Sequence, residues 1–483
     1  MTHPTTKISI VEKIGYSLGD LAANLIFQTL MTFLAFFYTD VYKIPAGSAS
    51  VIILVGGFFG AFFNIAMGAI ADRTRSKYGK FRPWVLFTAV PFGVIALLTF
   101  STPAFSETGK IIYAIVTYFL LVIIYSANNL PYSALSGVIT GDMKERNSLS
   151  SYRFVGVMIA QFIIQVLLLP LVLIFGDGDK AAGFKKVMTF FAIVGTVFFI
   201  ITFLTTRERI TPPKGQRTSV KQDLIDLYKN QPWVVMLITT VLVFITLALK
   251  GGMYIYYFKY YLNEKALADF LSSIGFNRFS EWLYSISGFK WPDDTFTTGN
   301  SLFNAGGIIF MIVGIGFSKP LADRFGKRDV FGAALLLSAI CLLFFNFYSP
   351  TSISLVFITQ IAHGFFYGIT IPLLWTMIAD VADYSEWKNN RRATAIVFSA
   401  MIFGLKIGLS IGGAIGAAFL AVYGYVPDQA EQTAKTISGI RLSVSLYPGL
   451  LFIFSVLMLV KYSINKKAEL EIERALGERR GKS

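Results

Sequence analysis

Polar side chains able to bind a ligand or carry a proton recur at helical spacing inside apolar stretches of this 483-residue chain. Asp20, Asn24, Gln28 and Thr32 repeat every four residues, so a carboxyl, two amides and a hydroxyl share one helix face. Tyr118, Tyr125, Asn129, Tyr132 and Ser136 form a second such face, with Asn128 beside it. Arg153, Lys250 and Lys406 are cations in three further apolar stretches, and Lys406 shares its face with Ser410, Gly413 and Ala417. A lone Ser, Thr or Asn in such a place serves as well to staple two helices. A lysine is different, because an ammonium near mid-bilayer costs about 2.5–3.5 kcal/mol or more without a partner or water. Ladders and cations together imply a shared wet cavity. Aromatic rings beside amides and an arginine fork suit a sugar, whose apolar faces stack on rings while its hydroxyls take hydrogen bonds.

The elements that must position these groups are membrane helices. The chain is 54% hydrophobic with only 15% charged residues, against roughly 25% in soluble domains. Apolar runs fall at 20–40, 49–71, 83–102, 110–138, 150–175, 184–205, 233–262, 299–318, 330–348, 352–380, 393–422 and 440–462, each near the roughly 20 residues that cross a bilayer. The spacing therefore predicts an all-α integral membrane protein with twelve transmembrane helices in two six-helix bundles. Lys and Arg concentrate after the even-numbered runs and in the tail, for example Arg73, Arg75, Lys77, Lys80 and Arg82 after run 2. The positive-inside bias then places both termini in the cytoplasm. It also accounts for the net charge of +15 without nucleic acid, which is not expected as a partner. The N-terminus lacks a cleavable signal pattern, and the single cysteine, Cys341, allows no internal disulfide.

The organisation expected is 1–205 as one bundle, 206–232 as a linker with Pro212 and Pro213, 233–463 as the second bundle, and 464–483 as a basic tail. Leu321-Ala322-Asp323-Arg324 after run 8 echoes Ile70-Ala71-Asp72-Arg73 after run 2, which suits parallel repeats. The segment 263–298 is polar but carries Phe270, Leu271, Phe279, Trp282, Leu283 and Trp291. It reads as an amphipathic element on the outer interface rather than a lid.

Two glycine ridges predict close helix packing. One is Gly404, Gly408, Gly412 and Gly416; the other is Gly56, Gly60 and Gly68, interrupted by the amide of Asn64. At the inner end of run 10, Asp380 and Asp383 either pair locally with Arg391 or Arg392, or latch to Arg146. His363 is expected to be a packed or cavity residue rather than a base. With His3 the only other histidine, no metal cluster or nucleophile–base constellation appears, so neither a metal nor a cofactor is expected and an enzyme is not.

Several phrases carry a resemblance: Phe37-Tyr38-Thr39-Asp40, TRSKYGKFRPW, Pro131-Tyr132 after the asparagine pair, KERNSLSSYRF, YIYYFKYYL and ADVADYSEWK. In this order, over nearly the whole chain, they resemble the glycoside–pentoside–hexuronide:cation symporters, the melibiose permease family. The resemblance implies a major-facilitator-type fold, alternating access and a sugar as substrate. It implies that Asn24 and Asn129 stand where the family has sugar-binding carboxylates. It also implies that Tyr125, Arg153 and Lys406 are cavity residues, and that Arg146, Asp380 and Asp383 resemble an inner gate. The helix 2 positions that hold the family's coupling cation are Gly60 and Asn64 here. A glycine offers no ligand, and an amide takes up no proton near neutral pH. The coupling ion is thus open between a proton carried by Asp20, a weak sodium site using Asn64 and backbone oxygens, and no ion at all. Glycosides, pentosides, oligosaccharides and hexuronides all remain as substrates, and a monomer is expected to suffice. A lipid carrier on the same fold and a non-transporting sugar sensor are the rival readings.

Overall fold

The computed structural model describes residues 7–140, 143–209, 228–389 and 394–481. Most of the expected linker, with Pro212 and Pro213, and the candidate partners Arg391 and Arg392 lie outside those residues. The described chain is helical, and eleven segments are long and apolar enough to cross a bilayer. The twelfth apolar run is the helix Lys327–Phe344. It misses that threshold because Lys327, Arg328 and Asp329 crowd its first turn.

Two compact units are formed, Met1–Gly215 with Ser280–Asp293, and Gln216–Phe279 with Asp294–Ser483. The first contains α1 (Ile10–Phe36), α2 (Ala46–Arg73), α3 (Arg82–Thr99), α4 (Glu107–Ile139), α5 (Met143–Phe162), α6 (Leu168–Gly176) and α7 (Lys180–Thr205). The π-helical turn Phe37–Val41 closes α1, and another, Ile163–Leu167, joins α5 to α6. Here α1 packs on α5 and α7, α3 on α4 and α7, and α2 on α4. The helices begin where side chains can take up free backbone N–H groups: Ser9, Ser106 and Asp179 cap α1, α4 and α7. Several helices outrun the apolar stretches that mark them. Helix α1 starts at Ile10, because polar turns beyond the hydrocarbon remain helical when they are capped and paired.

The second unit contains α8 (Gln231–Tyr256) with the π-turn Tyr257–Tyr261, and then α9 (Glu264–Ser273). Helix α10 (Phe276–Ser287) follows and runs from this unit into the segment grouped with the first. The second unit continues with α11 (Thr295–Phe325), α12 (Lys327–Phe344), α13 (Ile353–Asn389), α14 (Thr394–Val422), α15 (Ala434–Val444), α16 (Leu446–Leu459) and α17 (Lys466–Gly481). Its main pairings are α11 with α13 and α14 with α8. The expected ridge on α14 is where that second pair meets: a methyl added at Gly408 would come to 2.6 Å from the Val241 carbonyl oxygen, and at Gly412 it would strike that of Ile245. Within 263–298, expected as an amphipathic element, Glu264–Ser273 and Phe276–Ser287 form two helices, and Phe279, Trp282, Tyr284 and Ile286 of α10 are exposed. Helix α17 is anchored by polar contacts. Lys466 Nζ donates to the Asp323 and Arg324 carbonyls at the end of α11, and Lys327 bridges Glu469 at 2.7 Å and Asp380 at 2.8 Å.

Candidate functional site

In the first unit α1, α4 and α5 bring together one charged cluster. Arg153 Nε donates to Asp20 Oδ2 at 2.7 Å. The Asp20 carboxylate is buried, whereas Arg153 keeps 27% of its side chain exposed. The guanidinium lies 5.3 Å from the Tyr132 ring and 5.9 Å from that of Tyr16, in reach of both π-faces. Those rings stack at 4.7 Å and bind reciprocally, Tyr16 Oη donating to the Tyr132 carbonyl and Tyr132 Oη to that of Tyr16. The tyrosine pair thus fastens α1 to α4 and forms the floor on which Arg153 rests.

Next to this pair, Asn24 Nδ2 donates to the Asp20 carbonyl at 2.9 Å and reaches its Oδ1 at 3.4 Å. Tyr125 stacks on Phe27 at 5.2 Å and lies within electrostatic reach of Asp20 and Arg153. Asn129 is half-buried on α4, one turn beyond Tyr125. Pro131, just past it, supplies no N–H to the carbonyl four residues earlier, which weakens the helix at this point. An arginine fork, a carboxylate, amides and the half-buried Tyr125 ring give donors, acceptors and a stacking face within one wall. That set matches the needs of a polyhydroxylated ligand.

Three expected residues play other parts. Asn128 is only 1% exposed and turns toward α3, donating to Thr88 Oγ1 at 2.8 Å. Expected beside the polar face of α4, it packs against α3, one position off the face that Tyr125 and Asn129 share. Tyr118 is also buried, filling the groove over Gly56 of α2. Asn64 Nδ2 donates to the Gly60 carbonyl of its own helix. A side chain at Gly60 would strike Val122 of α4, so the space where a carboxylate would start is occupied by the α2–α4 contact. Asn64 is left to offer one oxygen.

Two of the gate candidates, Arg146 and Asp380, have a partner inside their own unit. Arg146 Nη2 donates to the Thr140 carbonyl at 3.1 Å, while Asp380 gives both oxygens to Lys327 at 2.8 Å. Asp383 lies three residues along α13 from Asp380 and has interactions of its own. Lys406, half-buried on α14, likewise has interactions, and its carbonyl accepts from Ser410. His363 packs against the rings of Tyr367 and Phe452, as a buried aromatic side chain.

Some residues that matter escape sequence reasoning. Glu12, 4% exposed, holds Arg209 in a two-point pair at 2.7 and 2.8 Å and accepts from the Arg207 N–H. Glu208 accepts the backbone N–H groups of Lys80, Phe81 and Arg82 at 2.7–2.9 Å, so a carboxylate caps α3 at its positive end. The two-point hydrogen bond to Glu12 raises Arg209 above its ordinary value, so it stays charged. Lys13 pairs with Glu145 at 2.9 Å. The only signal for these contacts is a Glu between two arginines directly after a helix.

A family model described as MFS/sugar transport protein matches residues 15–277 and 294–466, skipping most of α10. The inner membrane symporter YicJ of Escherichia coli is 35% identical over 98% of this chain and 96% of its own length. The isoprimeverose transporter of Lactiplantibacillus pentosus is 30% identical over 94% of this chain and 89% of its own. A crystal structure of the nucleoside transporter NupG matches at a TM-score of 0.57, with 13% identity, over 94% of this chain and all of that one.

Proposed function

The chain belongs to the family of MFS/sugar transport proteins, and from that premise we propose that it is a secondary transporter moving a sugar or glycoside by alternating access. The observation that carries this reading is the Asp20–Arg153 pair with Asn24, Tyr125 and Asn129 beside it. A pair whose arginine is part-exposed can exchange one of its internal bonds for a bond to a sugar hydroxyl at little cost, because the guanidinium has five N–H donors. Tyr125 supplies a face for the apolar side of the ring, while Asn24 and Asn129 accept and donate at its edge. The isoprimeverose transporter among its relatives supports the same substrate class.

For coupling, we propose a proton taken up by Asp20. With Gly60 packed on Val122, α2 keeps one side-chain oxygen, that of Asn64, where a hard cation wants several. Asp20 is an acidic group in contact with the substrate wall, and substrate engagement of Arg153 is what would free it to accept the proton. The positive-inside bias supports placing both termini in the cytoplasm, and nothing in the site requires more than one copy.

Purified protein in liposomes, offered labelled pentosides, hexosides and uronides with and without a proton or sodium gradient, tests both statements. Accumulation driven by a pH gradient and lost in Asp20→Asn supports proton symport. Equilibration that ignores both gradients would make the protein a facilitator, and sodium-driven accumulation would restore Asn64 as a ligand. Absence of flux for every sugar would overturn the substrate class.

A further inference from the structure

Lys250 stands apart from the other two membrane cations. Arg153 is neutralised by Asp20 and cushioned on two rings, and Lys406 is engaged. Lys250, in α8, is 8% exposed and has no ion-pair partner among the described residues. Among the described residues its one hydrogen bond, to Tyr254 Oη, is 3.5 Å long, and its Nζ sits 5.3 Å from the same ring. Tyr254 Oη in turn donates to Gln360 Oε1 of α13 at 3.5 Å, so the amide and phenol aim one lone pair back at the ammonium. Both bonds are at the outer limit for such contacts. An ammonium in a spanning helix with its remaining N–H groups unanswered is costly, and an acidic group is what would answer them.

An unfilled acceptor lies nearby. His363, 2% exposed and one helical turn from Gln360, faces the Ser338 carbonyl with Nδ1 at 3.2 Å, which fixes the proton on that nitrogen. Its Nε2 is then a bare lone pair, buried without a partner among the described residues, and it lies within electrostatic reach of Lys250. A cation short of an acceptor and an imidazole short of a donor, on the contacting helices α8 and α13, are complementary to a ligand that carries both an anionic group and hydroxyls.

We propose that Lys250, oriented by Tyr254 and Gln360, recognises an acidic group on the substrate, and that His363 Nε2 accepts one of its hydroxyls. The substrate class is thereby narrowed to acidic sugars, those bearing a carboxylate or sulfonate. This rests on the sugar-transport reading above.

The test is equilibrium binding to full-length protein in nanodiscs, using methyl β-D-glucuronide, its uncharged glucuronamide, methyl β-D-glucoside and a xyloside as probes. Wild-type protein is expected to hold the glucuronide roughly tenfold to hundredfold tighter than the amide, the range for hydrogen bonds to a charged group. Lys250→Gln should collapse that ratio toward one, and Lys250→Arg should retain most of it. The wild-type acid-to-amide ratio needs no variant, so it remains decisive if Lys250→Gln fails to fold. Binding of glucoside or xyloside without preference for the acid, or a ratio that survives Lys250→Gln, would overturn this inference and leave the sugar-transport reading intact. Failure of all four probes, together with no flux of any sugar in liposomes, would sink both.

Discussion

The Asp20–Arg153 pair gives an asymmetric prediction. Replacing Arg153 with Gln leaves the Asp20 carboxylate, 4% exposed, with only the Asn24 amide at 3.4 Å beside it. Breaking a buried pair this way costs about 3–5 kcal/mol. Replacing Asp20 with Asn leaves instead a guanidinium that is 27% exposed and lies over two tyrosine rings. Water and a cation–π contact of about 0.5–2 kcal/mol offset much of the loss, so Asp20→Asn should cost roughly 1–2 kcal/mol. The double variant carries neither stranded charge and should be more stable than Arg153→Gln alone, with a coupling energy of about 1.5–3 kcal/mol. Denaturant unfolding of the four proteins in one detergent, followed by tryptophan fluorescence, measures the cycle. Equal costs for the two single variants, or a double variant no better than Arg153→Gln, would refute the reasoning that the cluster is a charge pair with one dry and one wet member.

Three further outcomes follow from packing and charge. Gly60→Asp should lose about 1–3 kcal/mol through collision with Val122, and Val122→Ala in the same chain should recover part of it; uptake that becomes sodium-dependent in Gly60→Asp alone would contradict the account of α2. Glu208→Gln should cost about 1.5–3 kcal/mol and raise amide exchange at Lys80, Phe81 and Arg82 above that elsewhere in α3, as read by mass spectrometry. Lys327→Met strands Asp380, 17% exposed, and Glu469, 30% exposed, so α17 should become open to limited proteolysis while sugar binding by α1 and α4 persists.

The spans were legible in the sequence because hydrocarbon tolerates so few charges: twelve apolar runs stand out, and the basic turns alternate between them. Helix ends were less so, since the polar turns at Ile10 and at the end of α13 are held by caps and pairs that an apolar criterion ignores. Within the site, the four-residue spacing of Asp20 and Asn24 was visible, and so was Arg153 as an isolated cation. Their pairing was not, because 133 residues separate the two side chains and spacing says nothing about which helices meet. For the same reason Asn128 could not be told from Asn129. Adjacent positions on a helix differ by about 100°, and only the location of α3 decides which of the two faces a neighbour. The glycine ridges were readable as contact surfaces, but Val122 and Tyr118, which fill them, were not.

The π-turns bear on the history of the chain. Phe37–Val41 and Tyr257–Tyr261 close α1 and α8 in the same way, and they are 220 positions apart. The echo that ends α2 and recurs near the end of α11, Ile70 to Leu321, is 251 positions apart. The extra 31 positions fall between the two landmarks, in the stretch that holds α9 and α10 and where the family model is interrupted at residues 278–293. A duplicated ancestral segment whose second copy later gained an insertion would leave these offsets. By that account α9 and α10 are a newer acquisition, and α9 has been built into its unit through the buried Leu267 and Leu271.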